Sequence, residues 1–258
     1  MKLLPALTAL LLRASLALAV DEDPSKCNTE EKARTGSDFV LTEQPAIDLT
    51  TLSKYFSSAG KKVTVAQVFA DGNHQMTEDG LGHRIWESTP DFNDLSTEKW
   101  IPQGVTTTAD ALDVGVYEGK DGFVVSWHRD DGSAVRVTFV NKGDNTYRHL
   151  LLVEPDGADN FKNVACHAGG IFWYGATLWV LDSAKSSIRV FDMANIWQVG
   201  AGEGVGKTDA GGYSAADYKY VIPQLRFVLP PISSPFVTIL TLAGPTNGPP
   251  PSPSASPT

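Results

Sequence analysis

Three short apolar segments lie close together within Gly170–Met193, and their spacing constrains the fold more than any other feature of the sequence. The first two, Gly170–Tyr174 and Thr177–Asp182, are separated by the turn pair Gly175-Ala176, and Ile188–Met193 follows after a polar loop. Segments of five or six residues that are rich in aromatic and β-branched side chains and bounded by Gly, Asp and Ser are typical of strands. The spacing therefore predicts three consecutive antiparallel strands, which is most of one blade of a β-propeller.

A second set of strand-like segments precedes this group. Its four members are Ile101–Thr108, Gly122–Trp127, Ala134–Val140 and Tyr147–Val153. The Asp131-Gly132 pair between the second and third members is a strong hairpin signal. Val135-Arg136-Val137 here matches Ile188-Arg189-Val190 in the later group, because both place an aliphatic–Arg–Val triplet in the strand after a polar turn. The match predicts two equivalent four-stranded units, at about residues 101–153 and 168–222.

Units of roughly 40–50 residues with four strands each are typical of a β-propeller. A third unit begins at Pro223-Gln224, but Pro230-Pro231 and Pro235 interrupt it, since proline cannot donate to a ladder. We therefore predict an all-β fold with propeller-like blades, incomplete or truncated, and a short N-terminal helix, Leu49–Phe56, capped by Asp48. Two alternatives stay open: a complete ring of four or five blades, and a β-sandwich whose hairpins are alike by chance.

The two ends of the chain differ from the rest in composition. Lys2, the apolar residues 3–12 and the Ala17-Leu18-Ala19 motif predict a secretory signal peptide cleaved after Ala19, and hence a secreted, extracellular protein. An uncleaved membrane segment is the alternative, but Arg13 interrupts the apolar stretch, and about 20 such residues are needed to span a bilayer. The predicted domains are the signal peptide at 1–19, an N-terminal arm at 20–37, the propeller-like domain at 38–229 and a Pro/Ser-rich disordered tail at 230–258.

The charge balance limits the possible partners. Removal of Lys2 and Arg13 with the signal peptide leaves 19 basic against 30 acidic side chains, a formal charge of −11. An acidic surface repels nucleic-acid phosphates and anionic lipid headgroups, so we expect an extracellular ligand, no nucleic acid and no membrane span. The chain has two cysteines, Cys27 and Cys166, and an even number in an exported protein predicts one disulfide between them. The alternative is that both are buried free thiols.

Five motifs follow one another across the middle of the chain. They are W-x-P-Q-G-V-T (Trp100–Thr106), Y-R-H-L-L-L-V (Tyr147–Val153), H-A-G-G-I-x-W-Y-G (His167–Gly175), R-V-F-D-M (Arg189–Met193) and Y-x-Y-V-I-P-Q (Tyr218–Gln224). Over about Phe92 to Gln224 the chain resembles a family of secreted β-propeller-like proteins of actinobacteria and fungi. The resemblance implies an exported propeller-like domain and no particular catalytic residues. Relatives continue with further strand units, whereas this sequence becomes proline-rich, so the resemblance leaves ring closure open.

Three polar residues, Gln103, His167 and Gln224, precede corresponding predicted strands and are candidates for ligand binding. In a propeller the innermost strand of each blade starts at the central channel, so these side chains would converge on one rim. The alternative, which we favour, is that they tie neighbouring blades together by hydrogen bonds. Asp110 and Glu154 are candidate ligands for Ca²⁺, because carboxylates at strand ends can form an oxygen-rich site.

A phosphate-binding-loop pattern and three histidines could indicate ligand or metal binding, but in both cases a purely structural role is favoured. Ala201–Thr208 (AGEGVGKT) resembles a relaxed phosphate-binding loop, yet residues 209–212 (DAGG) cannot start the helix that such a site needs. We therefore predict a flexible loop between strands. His128, His149 and His167 lack the close spacing of paired metal ligands, and His149 within an apolar strand predicts a hydrogen-bonded interior residue.

The sequence identifies no catalytic residue and leaves enzymatic activity undecided. Two hypotheses remain. The first is a non-catalytic binding scaffold for a sugar, a peptide or a protein partner. The second is a metal-assisted hydrolase, for example a lactonase-like enzyme with Ca²⁺ in a propeller channel. The lack of a concentrated cluster of acidic residues and histidines favours the first.

Overall fold

The computed structural model describes residues 40–230. Most of the regular secondary structure in this range is β-strand. The strands are β1 Thr42–Glu43, β2 Lys62–Val63, β3 His74–Gln75, β4 Thr77–Glu78, β5 Arg84–Ile85, β6 Trp100–Thr107, β7 Gly122–Arg129, β8 Val135–Asn141, β9 Thr146–Pro155, β10 Phe161–Asn163, β11 Ile171–Tyr174, β12 Thr177–Asp182, β13 Ser187–Asp192, β14 Ile196–Gln198, β15 Val205–Lys207, β16 Tyr213–Ala215 and β17 Tyr220–Leu229. The helices are α1 Thr50–Ser58, α2 Val65–Ala70 and α3 Thr108–Ala111, with one 3₁₀ turn at Ser183–Lys185. The predictions for Ala19, Cys27, the arm and nearly all of the tail lie outside the described residues.

The main sheet has the strand order β11-β12-β13-β17-β9-β8-β7-β6. Strands β6 to β9 form a four-stranded antiparallel meander, as the spacing of the first set of segments predicts. Strands β11 to β13, which correspond to the segments predicted within Gly170–Met193, form a three-stranded antiparallel meander. The prediction of an all-β domain is confirmed, but the two meanders belong to one sheet and do not form clearly separate four-stranded blades.

The sheet curls until its two edge strands, β6 and β11, approach each other. The backbone N–H of Trp173 donates to Thr106 Oγ1 at 3.1 Å across this seam. A Cβ atom at Gly104 would lie 2.9 Å from the backbone nitrogen of Ile171, so only glycine permits the approach. The result is a nearly closed, barrel-like sheet, which leaves its edges shielded.

Strand β17 joins the two meanders by changing partners partway along its length. Residues Val221–Pro223 pair in parallel with β9, and the part from Gln224 to Val228 pairs antiparallel with β13. The sequence prediction placed the end of one unit and the start of another at this position. It is wrong there, because Pro223 does not interrupt the strand but lies where the partner changes, a position at which a missing donor N–H is tolerated.

The two meanders are not equivalent in the direction of their side chains. Val135 and Val137 of β8 point into the barrel core, so Arg136 between them lies on the outer face. In β13 the inward residue is Phe191, so Arg189 lies on the inner face and its aliphatic neighbours lie outside. The two matching triplets therefore differ by one residue in their register relative to the barrel. As a result, corresponding side chains point to opposite faces of the sheet.

Helix α1 packs on the outer face of the sheet, whereas α2 and α3 contribute buried residues to the cluster in the barrel interior. Helix α1 confirms the predicted N-terminal helix, and its Leu52 and Phe56 are fully buried, but its N-cap residue is Leu49 and not the predicted Asp48. Where the alternating valines of Lys62–Phe69 predict a strand, the structure has only β2 followed by helix α2. Thr64 and Gln67 form a reciprocal capping box, which starts the helix and outweighs the β-branched composition.

Two large hydrophobic clusters occupy the two faces of the sheet. One fills the barrel interior with residues of both meanders, including Phe139 and Trp173. The other lies outside β9 and β17 and includes Phe56 of α1 stacked on Trp197, with ring centroids 4.8 Å apart. Within residues 40–230 no helix is both long enough and apolar enough to cross a bilayer.

Candidate functional site

A polar concavity of about 220 Å³ opens on the outer side of the β8–β9 meander. Its walls come from strands β3, β8 and β9, from the segment before β6 and from the loop between β16 and β17. The lining residues are Asn73, His74, Phe92, Arg136, Arg148, His149, Ala216, Asp217, Tyr218 and Lys219. This concavity, called the polar pocket below, gathers several basic and aromatic side chains of a strongly acidic chain.

A buried carboxylate, Asp94, organises the floor of the polar pocket. Its Oδ1 accepts from Arg136 Nη2 at 2.7 Å, and its Oδ2 accepts from Tyr147 OH at 2.9 Å and from His149 Nε2 at 2.7 Å. Burial acts to raise the pKa of Asp94, but the bonds and charges of His149 and Arg136 outweigh it and hold the pKa well below its usual range. Asp94 is therefore an anion that fixes three side chains at once.

A chain of hydrogen bonds sets the protonation of His149. Trp127 Nε1 donates to Thr138 Oγ1 at 2.7 Å, and an indole N–H has no acceptor role. The Thr138 hydroxyl is then free to donate to His149 Nδ1, also at 2.7 Å, which leaves the ring proton on Nε2 facing Asp94. Burial lowers the pKa of His149 to about 4, so the ring is neutral at pH 7. The prediction that His149 is a hydrogen-bonded interior residue is confirmed.

Arg136 stands between this floor and the pocket opening. Its guanidinium lies 4.7 Å from the ring centroids of both Trp100 and Trp127. Its Nε is buried and has no hydrogen-bond partner among residues 40–230. The cation is therefore held by two aromatic rings and a single carboxylate, which is an incomplete set of acceptors for five N–H donors.

A second carboxylate, Asp71, holds the other two cations of the pocket. Its Oδ2 lies 3.0 Å from Arg148 Nη2 and 2.8 Å from Lys219 Nζ, and the same oxygen accepts from Tyr220 OH at 2.8 Å. Burial acts to raise the pKa of Asp71, but the bonds from Lys219 and Tyr220 and the charge of Arg148 leave it lowered. One anion thus positions two cations that line the pocket.

The loop that closes the pocket has an unusual backbone. Ala216 and Asp217 both adopt the left-handed region, with φ of 48° and 64°. Asp217 N–H donates to the Gly202 carbonyl at 3.0 Å, and Asp217 Oδ1 accepts from Gly202 N–H at 2.8 Å. Consecutive non-glycine residues in this region are costly, and such strain clusters at functional sites. Residues Val205–Lys207 of the AGEGVGKT stretch form strand β15 of a β-hairpin, so the prediction of a loop throughout is wrong, although the structure shows no phosphate-binding helix there.

Two of the predicted site residues meet at a different place, around Arg189. Gln224 Oε1 accepts from Arg189 Nη1 at 2.6 Å, and Glu154 Oε2 accepts from the same nitrogen at 2.5 Å. Asp182 Oδ2 accepts from Arg189 Nε at 2.7 Å. Because Gln224 is fully buried, it lies inside the barrel and not on a rim. This supports the alternative that such residues tie the strands together.

The other two ligand-binding candidates lie near the β6–β11 seam. His167 is exposed, and its ring lies against His128 with centroids 4.2 Å apart. Burial and the neighbouring His128 lower the pKa of His167. Gln103 is half-buried on β6, within the register shift between Pro102 and Val105. A role for either residue in ligand binding stays a prediction.

The metal and disulfide candidates have other partners in the described part of the chain. Asp110 forms a capping box with Thr107 at the start of α3, and Glu154 pairs with Arg189. Residues 40–230 contain no group of three or more His, Cys, Asp or Glu side chains placed to hold a metal ion. Cys166 is buried and unpaired there, and burial raises the pKa of its thiol to about 11. Its predicted partner, Cys27, lies outside the described residues.

The polar pocket was missed from the sequence, although part of the signal was present. Arg136 interrupts an alternating apolar strand, and Arg148 and His149 place polar groups on both faces of the next strand. Such buried polar residues require partners. Asp94, in a polar connecting segment, carries no comparable signal. Comparison of the chain with protein-family models, with curated proteins and with solved structures found no match.

Proposed function

We propose that this chain is an exported, non-catalytic binding module that holds a small polar ligand in the polar pocket. The observation that carries the proposal is the arrangement around Asp94, in which one buried anion fixes Arg136 and His149 behind an open, polar concavity. Sites whose side chains are fixed before binding lose little conformational entropy when a ligand arrives. The concavity combines aromatic walls with a few convergent polar groups, as ligand sites generally do.

The size of the polar pocket supports a ligand no larger than a single sugar or amino acid. Pockets for drug-sized ligands measure about 300–1,000 Å³, and this one measures about 220 Å³. A peptide or protein partner would place one side chain or terminus there at most. We therefore choose the sugar among the ligand classes that the sequence leaves open.

The hydrogen bonds in the pocket favour binding over catalysis. Thr138, His149 and Asp94 form a hydroxyl–imidazole–carboxylate chain, but the Thr138 hydroxyl is fully buried and cannot reach a substrate. A pKa of about 4 also leaves His149 poorly matched to general base catalysis near neutral pH. The Ca²⁺-assisted hydrolase remains the alternative function, with Asp110 or Glu154 as its ligands.

Export and kinship with the secreted propeller-like family belong to the same proposal. The signal-peptide pattern of residues 1–19 and the order of the five motifs support them. The β6–β9 meander is compatible with one four-stranded blade. The opposite directions of Arg136 and Arg189 argue against two equivalent blades.

Titration calorimetry on the purified chain tests this proposal with glucose, N-acetylglucosamine, glucuronate and glutamate as probes. We expect one or more of them to bind, and we expect Asn73→Trp, which fills the polar pocket, to abolish that binding. The matched control is Ser183→Trp, which places the same side chain in an apolar groove elsewhere and should leave binding intact. The proposal fails if no probe binds or if Asn73→Trp binds as well as the parent chain. Stoichiometric bound Ca²⁺ that is lost in Asp110→Ala or Glu154→Ala would instead support the hydrolase.

A further inference from the structure

The polar pocket has one more cation than its nearest carboxylate can neutralise. Arg148 and Lys219 both contact the same oxygen of Asp71, so two positive charges share one negative charge. The side chain of Lys219 is 38% exposed and that of Arg148 is 15% exposed, so water and ligand reach both. Both residues line the polar pocket, so both cations border the concavity.

The other charged groups around the pocket already have partners. Asp94 is bound by Arg136, Tyr147 and His149, while Glu87 accepts from the Gln75 N–H at 2.9 Å and lies 3.3 Å from His74 Nδ1. Asp217 accepts from Gly202 N–H. Burial lowers the pKa of both His74 and His149, so neither ring adds charge at pH 7. Hydrogen bonding leaves the negative charge of these carboxylates in place, so Asp217, which lines the pocket, is the group that the charge of an acidic ligand must avoid.

Unused hydrogen-bond donors remain on the two cations. Among residues 40–230, Arg148 Nη1 has no acceptor, and Lys219 Nζ uses Asp71 Oδ2 as its only carboxylate partner. An ammonium has three donors and a guanidinium five. A ligand that supplies acceptor oxygens, and in particular a negative charge, satisfies these donors better than a neutral one.

One wall of the pocket is flat and aromatic. The rings of His74 and Phe92 stack with centroids 3.6 Å apart, and both residues line the pocket. Tyr218 also lines the pocket, and its ring is nearly perpendicular to that of Trp100. A flat wall beside a group of donors suits a ring that has one apolar face and hydroxyl groups at its edge.

We propose that the ligand of the polar pocket is a hexuronic acid, whose carboxylate contacts Lys219 and Arg148 while the sugar ring lies against Phe92. This inference rests on the proposed binding function and narrows it to acidic monosaccharides. It assigns the charge preference to the unused donors of Arg148 and Lys219, which share the single carboxylate of Asp71.

Glucuronate and glucose form a matched pair of probes, since they differ only in the carboxylate. We expect titration calorimetry to give a Kd for glucuronate about tenfold or more below that for glucose, as a charge-assisted hydrogen bond predicts. Lys219→Gln should weaken glucuronate binding more than glucose binding and so remove most of this difference. Raising the salt concentration should also weaken glucuronate binding more than glucose binding.

The matched control is Lys207→Gln. Lys207 also pairs with a single aspartate, Asp159, but it does not line the polar pocket. We expect this variant to bind both sugars as the parent chain does. Acetate as a third probe tests whether a carboxylate without a ring binds, and we expect it to bind far more weakly than glucuronate.

The outcomes separate this inference from the proposed function. If glucose and glucuronate bind equally, and Asn73→Trp abolishes both, the binding function stands and the acidic preference is wrong. The acidic preference is also wrong if Lys207→Gln weakens glucuronate binding as much as Lys219→Gln does. If neither sugar binds, or if Asn73→Trp has no effect on either, both proposals fail.

Discussion

Arg136 and Arg189 occupy matching places in the sequence, yet the structure uses them in opposite ways. Arg189 lies inside the barrel, where Asp182, Glu154 and Gln224 all accept its hydrogen bonds. Arg136 lies on the outer face, with only Asp94 as a carboxylate partner and a buried Nε that has no partner in the described residues. Arg189 has three side-chain acceptors in a closed core, whereas Arg136 has one beside an opening.

The difference teaches how a buried charge can be recognised as structural or as part of a site. A structural ion pair needs all of its donors and acceptors satisfied within the protein, because an unsatisfied buried group is costly. A binding site can leave donors for its ligand to complete. By this criterion the Arg189 network ties β9, β13 and β17 together, and the Arg136 network supports a ligand site.

The largest effect is expected for Arg189→Met, which removes the cation and keeps a similar volume. Asp182 and the buried side of Glu154 then lose their partner, and breaking a buried ion pair costs about 3–5 kcal/mol. We expect the free energy of unfolding in urea to fall by that amount. The control is Arg226→Met, whose exposed pair with Glu43 should change stability by about 1 kcal/mol or less. Equal effects of the two substitutions would show that Arg189 is not a structural tie.

A somewhat smaller effect is expected for Asp94→Asn. The change keeps the shape but removes the anion that Arg136 and His149 contact, and a hydrogen bond to a charged group is worth about 1.5–3 kcal/mol. Arg136 lies next to the pocket, where water can replace part of the loss. We expect urea unfolding to show a loss of about 2–3 kcal/mol, together with weaker glucuronate binding. A loss of stability with unchanged binding would mean that Asp94 supports the fold and not the site.

The pH dependence of stability should distinguish the two networks, because only the Asp94 network contains a histidine. Burial lowers the pKa of His149 from 6.5 to about 4. Between these values the unfolded chain binds a proton that the folded chain does not, so stability falls as the pH falls. At pH 5 the expected loss from this group is about 2 kcal/mol relative to pH 7. Asp94 affects stability at lower pH than His149 does. Because its pKa is lowered in the folded chain, its contribution to stability is lost only as the pH falls below the usual pKa range of an aspartate.

Urea unfolding of the parent chain and of His149→Gln at pH 7 and pH 5 checks this expectation. His74 and His167 also have lowered pKa values, so the parent chain loses stability from several groups. The contribution of His149 is the difference between the two chains. An identical pH dependence in both would contradict a neutral, buried His149.

The smallest effect on stability is expected for Lys219→Gln. Lys219 is partly exposed, and exposed ion pairs contribute about 0–1 kcal/mol. We therefore expect its thermal unfolding to resemble that of the parent chain and of Lys207→Gln. A large loss of stability in Lys219→Gln alone would make its ion pair with Asp71 a structural tie, like the Arg189 network, and would remove the contrast drawn above.

Except for the short strand β10, the strands between Trp100 and Asp192 could be predicted from the sequence, because each shows a local pattern that needs no knowledge of its partners. Ala134–Val140 alternates toward a core, and the Gly175-Ala176 pair marks a tight turn. The observed boundaries differ from the predicted ones by only one or two residues there. Local alternation and turn chemistry were sufficient information.

The arrangement of those strands could not be predicted in the same way. Which face of β13 is inward depends on its pairing with β17, and the change of partners at Pro223 depends on two strands far away in sequence. The matching triplets around Arg136 and Arg189 therefore predicted an equivalence that the register reverses. Helix α2 was not predicted for a more local reason. Its valines favoured a strand, and the Thr64–Gln67 capping box that starts the helix was not considered.

The candidate site was the least predictable part of the molecule. Asp71, Asp94 and Lys219 lie in three separate segments, and the fold alone brings them to Arg136 and Arg148. The residues Gln224, predicted to bind a ligand, and Glu154, predicted to bind Ca²⁺, lie together but outside the polar pocket. Their contact with Arg189 makes them part of the core network instead.

The most direct test of this account is a glucuronate titration followed by ¹H–¹⁵N NMR spectra of the purified chain. The account predicts that amide shifts concentrate at Asn73, His74 and residues 216–219, with little change around Arg189 and Gln224. Shifts centred on Gln103 and His167, shifts centred on the Arg189 network, or no shifts at saturating glucuronate would contradict it.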